Sequence, residues 1–282
     1  MFENLKKELN IESHNYFGDS ISNENQDYLD TFSNFNEKIG LPKHPHTGTS
    51  SSLIPYQMEI FNLFDEKKQN KFHIIKSRQI GVTEIILRIL AFQSFHKYKG
   101  GKIRIITGTR EKTASKLMQR FKELFRNVPQ LIEEQKYVLR IKLVNGTEIE
   151  ALPSNSDAIR GDTKINAIFI DEAAHYNLKD DSVVLDAIQP IVFTNKADIF
   201  LVSTPNGPRG FFYDIKYSKN DYTKLEYNYT SAINYIYSKE EIELELNRQD
   251  IDVEQEYCCN FTSGRNSVFG NDFVTGDHEI SW

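Results

Sequence analysis

The amino-acid sequence predicts an α/β protein with a mostly parallel β-sheet flanked by helices. Three observations carry this. From Leu53 onward, short β-rich runs alternate with amphipathic stretches of helical length, the pattern of strand–helix–strand units. The stretch 165–170, with Ala167-Ile168-Phe169-Ile170 at its heart, is almost wholly apolar, as a strand covered on both faces has to be. Two apolar runs then stop on polar groups, Asp171-Glu172 and Ser203-Thr204, at the ends of strands, where open α/β sheets place their ligands.

The elements follow in order. Residues 1–50 are rich in Asn, Asp, Glu and Ser and end in the turn-rich Leu41-Pro42-Lys43-His44-Pro45-His46-Thr47-Gly48, which reads as a short helix followed by an irregular arm. His14, His44 and His46 lack carboxylates at ligand spacing, so a solvated loop is the reading there. A helix is expected over 56–66 and a strand over Lys71–Lys76. The helix expected over 82–97 turns Ile85, Ile86, Ile89, Leu90 and Phe92 to one face. Next come a strand over Lys102–Thr107 and a helix over 111–126 with Ala114, Leu117, Phe121, Leu124 and Phe125 inward. Asn145-Gly146 between 137–144 and 147–152 predicts a hairpin with a type I′ turn. Strands are expected over 165–170, Asp198–Ser203 and 222–229, and helices over 238–247 and 253–259. No internal repeat is present. The expected division is an arm or lid segment over 1–50, a core over 51–218 and a lid or linker over 219–282.

Composition narrows the class. A chain of 282 residues is long enough to bury a full α/β core, and 39% hydrophobic with 26% charged residues is ordinary for a soluble globular protein. No run of about eighteen apolar residues exists, which excludes a membrane-spanning helix. The start, Met1-Phe2-Glu3-Asn4-Leu5-Lys6-Lys7-Glu8, lacks the apolar core of a signal peptide. Cys258 and Cys259 are the only cysteines and adjoin each other, so neither a disulfide framework nor zinc spacing is offered. An intracellular protein is the expectation. With a net charge of −6, any contact with nucleic acid has to come from a local basic patch.

The chemistry concentrates in two motifs. The first is Lys76-Ser77-Arg78-Gln79-Ile80-Gly81-Val82-Thr83. A standard phosphate loop reads Gly-x-x-x-x-Gly-Lys-[Ser/Thr], with backbone N–H groups around the phosphates and the lysine on the β/γ pair. Aligned on Gly81 and Thr83, this chain has Val82 in the lysine position and Lys76 where the first glycine belongs. Lysine acts as a point charge, so one at the start of the loop serves if it reaches the phosphates from the opposite wall. Thr83 keeps the hydroxyl for Mg²⁺, and the helix starting near Val82 offers its N-terminal dipole to an anion. Taken alone, the stretch also reads as a strand–turn–helix connection that contains a glycine. The second motif is Asp171-Glu172. Asp171 suits Mg²⁺, and Glu172 suits orienting and deprotonating the attacking water. A strand ending in a solvated acidic turn is the bland alternative, but the two motifs in this order point to nucleotide hydrolysis.

Further groups converge. Ser203, Thr204 and Asn206 end a buried strand and suit hydrogen bonds to a γ-phosphate or its water, although Pro205-Asn206-Gly207 favours an ordinary turn by itself. Arg160, before a glycine in a polar loop, suits stabilising transition-state charge, with a plain surface arginine as the alternative. Gln57 beside Tyr56 suits reading an adenine edge while an aromatic ring packs on the base. Lys112, Lys116 and Arg120 recur every four residues as one basic stripe, either a solvated face or a contact for DNA or a neighbouring subunit.

In this order these elements resemble the ATPase domain of the large terminase subunit, the motor that packs DNA into tailed-virus capsids. The matching pieces are Tyr56-Gln57, Arg78-Gln79-Ile80-Gly81, Ala158-Ile159-Arg160-Gly161, Ile170-Asp171-Glu172-Ala173 and Ser203-Thr204-Pro205-Asn206-Gly207, over about residues 53–218. Some members of that family carry the loop lysine at its beginning, as Lys76 would be. The resemblance implies a P-loop ATPase core of the additional-strand, RecA- and helicase-like kind, using ATP and Mg²⁺. It implies nucleotide contact by Tyr56, Gln57 and the loop Lys76, Ser77, Arg78, Gln79, Ile80, Gly81, Val82 and Thr83. It also implies Mg²⁺ on Thr83 and Asp171, catalysis by Glu172, and coupling of hydrolysis to movement by Ser203, Thr204 and Asn206. Arg78 or Arg160 becomes the arginine finger, with Arg110 and Arg209 left open. The implied partners are double-stranded DNA, the portal protein and the small terminase subunit. The implied assembly is a homo-oligomeric ring on the procapsid in the host cytoplasm, with a monomer compatible in isolation. Family proteins usually continue into an RNase H-like nuclease. Residues 254–261 resemble the link to it, and Asp272, Asp277 and Glu279 are too few for its core, so no nuclease activity is expected from this chain. Val82 in the lysine position keeps a catalytically weak nucleotide-binding structural subunit as an alternative. The Asp-Glu strand and the Ser/Thr motif are shared with helicase-like, nucleic-acid-stimulated ATPases, which is the other.

Overall fold

Strands and helices alternate as expected, and the strands assemble into one sheet. The computed structural model describes residues 27–44, 47–66, 70–107, 111–153, 164–176 and 178–263. The strands are β1 Lys71–Lys76, β2 Lys102–Thr107, β3 Ile132–Glu134, β4 Arg140–Leu143, β5 Glu148–Leu152, β6 Ile165–Asp171, β7 Asp198–Ser203 and β8 Thr223–Tyr227. The helices are α1 Phe32–Ile39, α2 Pro55–Glu66, α3 Val82–Gln93, α4 Glu111–Glu123, α5 Leu178–Asn195, α6 Gly210–Tyr217, α7 Lys239–Leu246 and α8 Val253–Glu256. Among the described residues the sheet has eight strands in the order β3-β4-β5-β2-β6-β7-β1-β8. From β5 to β8 every pairing is parallel, and β3 and β4 extend one side antiparallel.

Alternation along each strand feeds two cores. Phe72 and Ile74 of β1, Ala167 and Phe169 of β6, and Phe200 and Val202 of β7 face the layer of α1 to α4. Ile75, Ile168, Ile170, Ile199 and Leu201 face the layer of α5 and α6, with Val184, Ile188, Val192 and Phe212. Because both faces are covered, the central strands carry apolar side chains at nearly every position. His73 is a buried polar residue in the middle of β1. It is fully buried, its Nε2 donates to the Phe212 carbonyl at 2.8 Å, and its ring lies 4.1 Å from that of Phe212.

Three regions differ from the expectations. The Asn145-Gly146 turn is not type I′, which needs positive φ at both residues, because only Gly146 has it, at 85°. The Gly146 N–H donates to Leu143 O and the Leu143 N–H to Thr147 O, both at 2.9 Å, which makes a three-residue loop with a glycine bulge. Asn145 is held by its own side chain, which accepts from Thr147 N at 3.0 Å and donates to Ser94 O at 2.8 Å. Helix α5 lay outside the sequence reading. Pro190 stands inside it, and Val184, Ile188 and Val192 are buried, flanked by the partly buried Leu185, Ala187 and Ile191. Finally, α1 packs on the core although it lies in the stretch expected as helix and arm. Thr31 caps it by accepting from Asn34 N, and it buries Phe32, Phe35, Asn36 and Ile39. The Phe32 ring stacks on Phe61 at 3.9 Å, and Arg88 of α3 donates to Asn36 Oδ1 and Gly40 O, each at 2.9 Å.

Candidate nucleotide site

β1 runs into the loop 77–81, which turns sharply enough for α3 to start at Val82. Gln79 and Gly81 both take positive φ, 59° and 86°. A Cβ on Gly81 would lie 2.8 Å from Gln57 Nε2, so this position needs glycine for its conformation and for the close approach. The expected adenine readers hold this loop. The Tyr56 hydroxyl donates to Ile80 O, Gln57 Nε2 donates to Gly81 O at 3.1 Å, and Gln57 Oε1 accepts from Ile54 N at 3.0 Å. The Gln57 amide is therefore engaged by backbone at both ends, and the Tyr56 ring packs on Tyr227 at 5.2 Å. Ile80 and Val82 are fully buried, so the standard lysine position points into the core. Ser77 is also buried: its N–H donates to Tyr227 O at 2.8 Å and its hydroxyl to Glu256 O at 3.3 Å. Arg78 is exposed at its side chain and pairs with Glu256 at 3.3 Å.

Lys76 ends β1 with a side chain only 7% exposed, its Nζ 3.5 Å from Glu172 Oε1. Asp171 ends β6 in register with Thr107 of β2 and Val202 of β7, so parallel pairing sets the acids at the same sheet edge as the loop. Thr83 Oγ1 donates to Asp171 Oδ1 at 2.9 Å. Burial raises the Asp171 pKa to about 6, and the neighbouring Glu172 adds to this, while Lys76 and Thr83 pull the other way. A buried carboxylate paired with a hydroxyl and lacking full counter-charge is a hard-oxygen donor set that fits Mg²⁺. Mg²⁺ is typically held by one or two carboxylates with phosphate oxygens and waters completing the shell.

The β7 end meets the acidic turn. Ser203 Oγ accepts from Ala174 N at 3.1 Å and Asn206 Nδ2 donates to Ala174 O at 3.0 Å. Thr204 Oγ1 lies 2.8 Å from His175 Nε2, which is 3.7 Å from Glu172 Oε2. Burial lowers the His175 pKa. Sequence reasoning missed His175, although a titratable side chain three residues after Glu172 was the available signal. The Gly207 N–H donates to Gln255 Oε1 of α8 at 2.9 Å.

Gln57, Lys76, Arg78, Thr83 and Glu172 border a cavity of about 810 Å³, the size of a small-molecule site. Gln57, Lys76, Arg78 to Glu84 and Glu172 are among its lining residues, as are Ile39 to His44, Arg88, Arg120, Asn127, Tyr235 and Ile236. Of the other predicted site residues, Tyr56, Ser77, Asp171, Ser203, Thr204 and Asn206 do not line it. Of the arginine-finger candidates, Arg78 borders the cavity and Arg209 is the N-cap residue of α6. Arg160 with its motif, Arg110, His14, His46, Asp272, Asp277 and Glu279 lie outside the described residues.

The sequence model for the N-terminal part of the terminase large subunit, T4likevirus-type, matches residues 73–274, a span holding the loop, both acids and the Ser203–Asn206 turn. The chain belongs to the large terminase subunit family. The same fold occurs in solved terminases. The large terminase ATPase domain of Thermus phage P74-26 superposes with a TM-score of 0.58 at 20% identity, covering 76% of this chain and 95% of that one. The large terminase of bacteriophage HK97 gives 0.66 at 14% identity, covering 82% of this chain and 55% of that one. A large terminase from a thermophilic bacteriophage, solved with ADP, gives 0.60 at 13% identity over 74% of this chain and 53% of that one. The eight-stranded, mostly parallel sheet of this terminase chain is thus the sheet of the P-loop terminase ATPases. Among the described residues no helix is long and apolar enough to cross a membrane.

Proposed function

We propose that this domain hydrolyses ATP to ADP and phosphate, and that hydrolysis drives double-stranded DNA into a viral procapsid. One observation supports the reading above the rest: Lys76, Thr83 and Glu172, from segments far apart in sequence, border one cavity, and Asp171 joins them through its bond to Thr83.

The loop N–H groups at the start of α3 cradle the phosphates, and Lys76 supplies the positive charge that Val82 does not. Its short distance to Glu172 means that a triphosphate in the cavity competes for the amine, leaving the Glu172 carboxylate to orient water and take its proton. Thr83 and Asp171 would hold Mg²⁺, which when bound neutralises charge on the phosphate oxygens. The Glu172–His175–Thr204 contacts carry a change at the acid to the β7 end, so that Ser203, Thr204 and Asn206 couple hydrolysis to motion. Arg78 from this chain, or Arg160, acts as the arginine finger. The domain works as a ring on the portal in the host cytoplasm, with double-stranded DNA and the small terminase subunit as its other partners.

Phosphate release by the parent, Lys76→Ala and Glu172→Ala tests the chemistry. Removing one charge-stabilising group is expected to cost about a hundredfold or more. A parent without turnover, or variants that match it, would refute the assignment. Translocation of intact duplex without strand separation distinguishes the packaging role from a helicase-like one.

A further inference from the structure

Arg120 departs from the stripe in which the sequence places it. Lys112 and Lys116 stand clear of the cavity, whereas Arg120 borders it and reaches α3. Its Nη2 lies 3.3 Å from Oε2 of Glu84, the residue that follows Thr83. The other Glu84 oxygen is taken by Arg88 Nε at 2.8 Å. Arg88 is buried, with Nη1 on Asn36 Oδ1 and Gly40 O. One carboxylate therefore faces two guanidinium groups, and the surplus positive charge resides on Arg120. Its side chain is 48% exposed, and the contact with Glu84 is its only hydrogen bond among the described residues.

Glu84 sits in the first turn of α3, where the helix dipole and free N–H groups favour a bound anion. A bare carboxylate there would repel a polyphosphate. A guanidinium fork next to it both cancels that repulsion and matches phosphate oxygens in geometry. We propose that Arg120 is a polyphosphate-binding residue, acting in the same chain as the phosphate loop. Glu84 parks it beside the site, and it turns onto the phosphates when a nucleoside di- or triphosphate enters. This rests on the nucleotide reading of the cavity and adds to it a second cation, on α4, that compensates for Val82.

Equilibrium titration with fluorescent ATP and ADP, and competition by adenosine, test this in the full chain. Arg120→Gln is expected to weaken ATP and ADP by about tenfold or more, the usual cost of a lost charge-assisted hydrogen bond, and to leave adenosine competition unchanged. Arg120→Lys restores part of the loss, and Lys112→Gln matches the parent. ATP and ADP affinities equal to the parent's in Arg120→Gln would overturn the proposal, as would equal weakening of all three ligands. Loss of duplex DNA binding with nucleotide affinity intact would assign Arg120 to a DNA face and overturn it too. Should Arg120→Gln not fold, Glu84→Gln carries the test: freeing Arg120 is expected to tighten ATP binding, and unchanged or weaker binding refutes the idea. A parent that binds no ATP sinks the nucleotide reading itself, whereas a parent that binds and hydrolyses ATP alongside an indifferent Arg120→Gln sinks this inference alone.

Discussion

Acidification is expected to destabilise this domain through His73, in the strand that leads into the loop 77–81. The imidazole is fully buried on β1, donates from Nε2 to Phe212 O, and has an Nδ1 with no partner among the described residues. Burial depresses its pKa from 6.5 to about 4, and the cations Lys224 and Lys216 add to this. A group depressed in the folded state is neutral there while the unfolded chain already binds its proton. Its contribution to stability is therefore complete above pH 6.5 and is lost as the pH falls toward about 4. At about 1.4 kcal/mol per pH unit, that window costs ~3 kcal/mol, a large share of the 5–15 kcal/mol that holds a typical domain together. Urea unfolding of the parent and of His73→Gln across the window measures it. The glutamine keeps an N–H for Phe212 O but does not titrate. The parent should lose about 3 kcal/mol more than His73→Gln between neutral pH and about pH 4. Parallel stability curves for the two proteins would refute the reasoning.

Three further outcomes are expected. Gly81→Ala forces a left-handed residue with its Cβ 2.8 Å from Gln57 Nε2, so it should cost ~1–3 kcal/mol and impair ATP binding, read by thermal melting and nucleotide titration. Thr204→Val removes the hydroxyl beside His175; basal phosphate release should persist while DNA moved per ATP falls, checked by running both assays on one preparation. Phe35→Ala should destabilise the domain by about 3–5 kcal/mol, because α1 is part of the core, and denaturant unfolding would show it.

How far the sequence could be read depended on how local each signal was. β1, β2 and β7 coincide with their expected bounds because each is an apolar run stopped by polar or turn residues within a few positions. Order of motifs along the chain likewise sufficed to bring out Lys76, Thr83, Asp171 and Glu172 as one set, since parallel strands deliver their ends to one edge. What escaped was set by distant partners. Asn145-Gly146 has the composition of a type I′ turn, yet its side-chain bond to Ser94 favours the bulged loop. Gln57 reads as a base-recognising amide, and its bonds to Ile54 N and Gly81 O, which tie it to the loop, are visible only in the fold. The Arg120–Glu84 pair joins two helices, and His175 gains meaning only beside Thr204, just past the end of β7. Pro190, a residue that ordinarily ends a helix, hid α5.

The single turn Val253–Glu256 has a mechanical consequence. Its Glu256 carbonyl takes the Ser77 hydroxyl and the Arg78 N–H, while the neighbouring Gln255 side chain takes Gly207 N–H. The turn is pinned at once to the tip of β1 and to the tip of β7. If those two tips shift relative to each other, the pins cannot both hold unless this turn tilts. Just beyond it Cys259 is buried in the core and Phe261 packs against Phe212, so the turn acts as a clasp that sets the spacing of the two strand ends.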